Sequence, residues 1–89
     1  MNEYRIESEN HCIQGALLSE MRTANPVFFA LVIAQAQDVS VLGDCVQIMF
    51  SPNHAALKDL CYEKKVWIER MLYGLTGRHF WVDAWSRGE

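Results

Sequence analysis

The chain has no paired cysteines, no long apolar run and no strong excess of either charge, and each shortage removes a class of protein. Its three cysteines, Cys12, Cys45 and Cys61, are odd in number and show no C-x-x-C spacing. A disulfide framework or a zinc module needs a paired pattern, so each cysteine is expected to behave as a small buried apolar residue in a reducing compartment. No internal repeat or low-complexity tract is present. No apolar run approaches the roughly 18 residues of a membrane span, and no basic n-region followed by an apolar h-region opens the chain. A cytoplasmic protein without a membrane partner is the expectation. The net charge of −3 supplies no whole-molecule attraction toward nucleic acid or anionic lipid.

Catalytic signals are equally scarce. Neither G-x-x-x-x-G-K-[ST] nor G-x-G-x-x-G occurs, so no phosphate cradle is signalled. His11, His54 and His79 fall on three different predicted elements with no cysteine at ligand spacing. His11 and Cys12 are sequence neighbours, and neighbours on a helix point apart, which leaves no thiolate–imidazole pair. Asp38 and Asp44 flank a turn and are read as solvating it. No catalytic residue, cofactor or metal is expected, and the chain reads as a binding domain rather than an enzyme.

What is present is a globular composition, 51% hydrophobic and 21% charged in 89 residues. A chain this short buries about 60–65% of its unfolded surface and builds one modest core. Residues 1–7 read as a loosely ordered lead and residues 8–89 as a single domain. A first helix is predicted from about Ser8 to Arg22, with Cys12, Ile13, Ala16, Leu17 and Met21 on one face. Gly15 inside it suggests a close helix crossing. Asn25-Pro26 supplies an N-cap and an N1 proline for a second helix to about Ala36. That helix is apolar nearly all round, and its β-branched residues leave a strand reading open.

The clearest pattern is Val39 to Phe50, two apolar runs hinged on Gly43-Asp44, which predicts a hairpin. Val39, Val41, Val46, Ile48 and Phe50 share one face, and Ser40, Gln47 and Met49 lie on the other. Ser51-Pro52 then opens a long helix to about Leu75, with Leu57, Leu60, Cys61, Ile68, Leu72 and Leu75 on its core stripe and Gly77 as its C-terminal stop. Arg78 to Trp85 reads as a last strand with Phe80, Val82 and Ala84 opposite Trp81, Asp83 and Trp85.

Two surfaces follow. The apolar surplus on the second helix and the outer stripe of the long one (Phe28, Phe29, Val32, Tyr62, Val66 and Tyr73) is either absorbed by core packing or covered by a partner, with a homodimer as one form of that interface. Trp81 and Trp85, either as core or as an exposed platform, suggest the alternative of single-stranded nucleic-acid contact, with Lys64, Lys65, Arg70 and Arg78 as its basic edge.

The run Asn25-Pro26…Leu31, the hairpin VSVLGDCVQIMF, then Leu57…Ile68-Glu69…Leu72…Thr76-Gly77 and a closing strand resembles the C-terminal region of the gamma/tau subunit of bacterial DNA polymerase III. Pro52-Asn53 and Leu75-Thr76-Gly77 are also similar to the N-terminal domain of the initiator DnaA. The resemblance covers the chain from about Cys12 to Trp85. It departs at His11-Cys12-Ile13, where both relatives usually carry a tryptophan. It implies a KH-like α+β domain with two N-terminal helices, a β-hairpin, a long helix and a final strand in a three-stranded sheet. It further implies a piece of a longer polypeptide, non-catalytic, tethering replication proteins such as a replicative polymerase or helicase.

Overall fold

In the computed structural model the backbone of residues 2–87 and the side chains of residues 10–87 are described. The order is α1 (Asn2–Ala24), α2 (Pro26–Leu31), β1 (Asp38–Leu42), β2 (Cys45–Phe50), α3 (Ala55–Glu63), α4 (Lys65–Thr76) and β3 (Trp81–Ser86). Short 3₁₀ turns, Ile33–Gln35 and Pro52–His54, lead out of α2 and into α3. The architecture is α+β, as the sequence predicts.

α1 begins earlier than predicted. Asn2 to Glu7, expected ahead of the helix, form its first turns. No proline or glycine interrupts that stretch, so nothing in it stops a helix. Met1, the remainder of the expected lead, lies outside the described residues. Ile13, Leu17 and Met21 recur every four residues and face the core, the last two fully buried. Cys12 and Ala16 fall outside that stripe and are exposed, which corrects the predicted face by about one residue's rotation. Gly15 has open space where a Cβ would stand, so no close crossing requires it.

Asn25 caps α2: its side-chain Oδ1 accepts the Phe28 N–H at 3.1 Å, and Pro26 fills N1. The helix stops at Leu31 rather than continuing to Ala36, and Val32 and Ile33 turn into the core. Because α2 lies against the core on one side, Val27 and Leu31, one turn apart, remain exposed.

The hairpin forms in the predicted register, with Leu42 opposite Cys45 and Val39 opposite Ile48. Gly43 takes φ 62°, and among the described residues only glycines have positive φ. A left-handed residue at the first turn position alone suits a type II′ turn, whose twist matches that of the strands. β2 is the central strand, antiparallel to β1 and parallel to β3. Parallel neighbours need a crossover of a dozen or more residues, and α3 and α4 supply it.

The long predicted helix is broken at Lys64, whose backbone is non-helical (φ −94°, ψ 8°). Cys61, Ile68 and Leu72 are fully buried, while Leu60 in α3 and Leu75 in α4, expected on the same stripe, are exposed. Gly77 ends α4 in the left-handed conformation, and its N–H reaches the Tyr73 carbonyl at 2.8 Å. Val46, Ile48 and Phe50 of β2 lie beneath the helices with no exposure. Each such side chain removed from water contributes about 1.5–3 kcal/mol.

Candidate interaction surface

All helices pack on one face of the sheet, so the other face is open. Alternation along the strands decides what stands there. On β3, Val82, Ala84 and Ser86 are buried while Trp81, Asp83 and Trp85 are exposed. The register then builds three rows across the sheet: Leu42–Cys45–Trp81, Ser40–Gln47–Asp83 and Asp38–Met49–Trp85. Two rows, apolar but for Asp38 at the end of one, therefore bracket a polar one. Trp81 is 70% exposed and Trp85 40%, which settles their orientation: both are surface residues, and Phe80 and Val82 are the core ones.

The two edges of the sheet are closed by side chains from the helices. On β1 the Gln14 amide donates to the Val39 carbonyl. On β3 the Glu69 carboxylate accepts the Val82 N–H at 2.9 Å. Unpaired strand edges invite pairing with another chain, and each of these contacts occupies one such group.

The first predicted interface is divided by the fold. Phe28 (7% exposed) and Val32 (3%) belong to the core, and Phe28 meets Trp67 edge-on with ring centroids 5.8 Å apart. Burial in the core, with α2 packed on α1, removes both from any partner surface. Phe29 is half-buried against the core beneath the Arg22 guanidinium, 5.6 Å from its ring centroid. Tyr62, Val66 and Tyr73 are exposed as expected. Val66 and Tyr73 line an open groove of about 330 Å³ with Glu69, Arg70, His79 and Phe80. Tyr73 stacks on His79 at 4.7 Å between centroids, and Lys65 Nζ lies 5.5 Å from the Tyr62 ring centroid.

The basic residues of the second candidate are not gathered around the tryptophans. Lys64, Lys65 and Arg70 belong to the helical layer, on the opposite face of the sheet from the indoles. Arg78 lies at the sheet's end, where it pairs with Asp44 at 3.7 Å and covers the Phe80 ring at 4.9 Å. The charge between the two indoles is instead Asp83. Sequence alternation could place Asp83 on that face, but the polar row joining it to Gln47 and Ser40 needed the strand order. Glu69 and Gln14 were missed as edge closures for the same reason.

Among the described residues no group of three or more histidine, cysteine or acidic side chains is arranged to hold a metal ion. Of the cysteines only Cys61 is buried; Cys12 is exposed and Cys45 half-buried. Burial raises the Cys61 thiol from its ordinary value of 9.0 to about 12, which removes it as a nucleophile at neutral pH. No single described helix is long and apolar enough to cross a membrane. Comparison with family models, curated proteins and solved structures finds no match to this chain.

Proposed function

We propose that this is a non-catalytic protein-interaction domain that binds through the open face of its sheet. The observation that carries the reading is the pair Trp81 and Trp85, exposed on one strand face and continued by Met49, Cys45 and Leu42. Aromatic residues and methionine are enriched where interfaces are fully buried, and two exposed indoles are costly surface for a protein with no use for them. A phosphate backbone is disfavoured there, because Asp83 and Asp38 give the face negative charge. Tyr62, Val66 and Tyr73 form a secondary surface beside the outer edge of β3. The resemblance of the chain to a replication tether makes a replicative polymerase or helicase the first partner to try.

Binding of purified polymerase and helicase subunits to the wild-type domain and to a Trp81→Ala, Trp85→Ala variant tests the proposal. Retention by the wild type and loss by the variant is expected. Equal retention by both would sink the assignment to this face. Light scattering across a concentration series decides whether a second copy is the occupant, since a stable dimer abolished by the same variant would make the partner this chain itself.

A further inference from the structure

On the open face of β3 the outward positions alternate indole, carboxylate, indole. We propose that Trp81, Asp83 and Trp85 form a clamp for an arginine side chain presented by a partner protein, an inference that rests on the protein-interaction reading above.

Strand geometry sets the spacing. At about 3.3 Å per residue the two tryptophans stand about 13 Å apart, with Asp83 midway. Indole faces attract cations through the ring quadrupole, tryptophan most strongly. A carboxylate attracts a cation more strongly still and takes a guanidinium through two parallel hydrogen bonds. Among cationic side chains, arginine has a planar head that stacks on a ring while its N–H fork reaches a carboxylate. An ammonium is a compact, strongly hydrated charge that uses the indoles less well.

The surroundings fit that occupant. Asp83 makes no ion pair among the described residues, and its neighbours across the sheet, Gln47 and Ser40, are neutral and half-buried. The middle row is therefore a polar track on which the aliphatic stem and its donors can lie. The flanking rows, Leu42–Cys45–Trp81 on one side and Met49–Trp85 on the other, suit apolar residues on either side of the arginine. A second carboxylate, Asp38, ends the Trp85 row. Of the cations near this face, Arg78 is engaged by Asp44 at 3.7 Å, and Arg87 follows Trp85 at the next outward position without pairing to Asp83. A partner segment with an arginine between apolar residues satisfies every row.

The probe is the tripeptide acetyl-Leu-Arg-Leu-amide, set against the same peptide with citrulline, which keeps the shape and loses the charge, and with lysine. Binding is read from the indole N–H resonances of Trp81 and Trp85 in ¹⁵N-labelled protein. Saturable shifts of both signals with the arginine peptide are expected, with affinity at least tenfold weaker for the citrulline peptide and for the Asp83→Asn variant. Lysine is expected to fall between. Asp83 is exposed, so Asp83→Asn should retain the native spectrum elsewhere, which the same experiment verifies. Equal affinity of the arginine and citrulline peptides, undiminished binding by Asp83→Asn, or no saturable shift would overturn the clamp. Shifts produced instead by a single-stranded oligothymidine would overturn it in favour of nucleic acid. Should a protein partner bind Asp83→Asn as well as wild type but be lost by the double tryptophan variant, the clamp fails and the interaction surface stands.

Discussion

The Glu69 carboxylate of α4 accepts the Val82 backbone N–H of β3 at 2.9 Å, so a helix side chain closes a group that a further strand would otherwise take. Hydrogen bonds to charged groups contribute about 1.5–3 kcal/mol. Glu69→Ala is expected to lower unfolding free energy by about that amount in urea titrations. It also frees the outer edge of β3, so mass should rise with concentration in light scattering more steeply than for wild type. Glu69→Gln keeps an acceptor oxygen and should recover most of the stability. A Glu69→Ala variant as stable as wild type would mean that water replaces the contact and the edge is not guarded.

Asn25 and Gly15 make opposite claims about the N-terminal helices. The Asn25 cap of α2 is formed, with Phe28 N–H as donor, and replacing such a cap by alanine costs about 1 kcal/mol. Gly15 stands in the middle of α1 with nothing within 4 Å of the place a Cβ would occupy, and alanine there stabilises a helix by about 0.5–1 kcal/mol. For a domain of this size each kcal/mol moves the thermal midpoint by about 4–8 °C. Calorimetry should therefore show Asn25→Ala melting lower and Gly15→Ala melting higher than wild type. Gly43→Ala should melt lower despite equally open space, because its φ of 62° disfavours a Cβ.

The parts of this fold written in short-range signals are legible in the sequence alone. The hairpin follows from alternation on both sides of Gly43-Asp44, the cap of α2 from Asn25-Pro26, and the faces of β3 from alternation that holds for every residue from Trp81 to Trp85. What is not legible depends on how elements meet. The helix break falls at Lys64, within Glu63-Lys64-Lys65, where no glycine or proline announces it. Phe28 and Val32 are as apolar as Val27 and Leu31, and only tertiary packing, on α1 and on Trp67 of α4, decides which pair is buried. Asp83 is set beside Gln47 only when β3 joins β2 in parallel.

That division of α2 and α4 gives a direct comparison of core and surface aromatics. Phe28 is buried with its ring against Trp67, and Phe28→Ala is expected to cost about 3–5 kcal/mol, much of the roughly 0.05–0.15 kcal/mol per residue that holds a domain together. Phe29→Asp places a charge against the core beside Phe28 and should also lose stability, which makes it unsuitable as an interface probe. Tyr73 is half exposed and stacks on His79, so Tyr73→Ala should cost about 1 kcal/mol or less. Urea unfolding of the three variants checks the order. A Tyr73→Ala loss as large as that of Phe28→Ala would place Tyr73 in the cooperative core and remove it from the secondary surface.

Cys61 carries a pH dependence whose direction follows from its burial. Its thiol ionises at about 12 in the native protein against an ordinary value of 9.0. Below pH 9 both states hold the proton and the full contribution to stability is present. Between pH 9 and 12 the unfolded chain releases the proton while the native state keeps it, so unfolding is favoured as pH rises. The slope approaches about 1.4 kcal/mol per pH unit. Tyrosine and lysine ionisation overlap this window, so the measurement is the difference in slope between wild type and Cys61→Ala, not either slope alone. Wild type should lose stability more steeply above pH 9, while below it the two profiles run parallel, offset by the cavity the alanine leaves. Native-state alkylation at pH 8 gives a second reading: exposed Cys12 should react first, and Cys61 only on the timescale of unfolding. Parallel profiles through pH 12, or rapid Cys61 labelling in the folded protein, would show that the thiol reaches water.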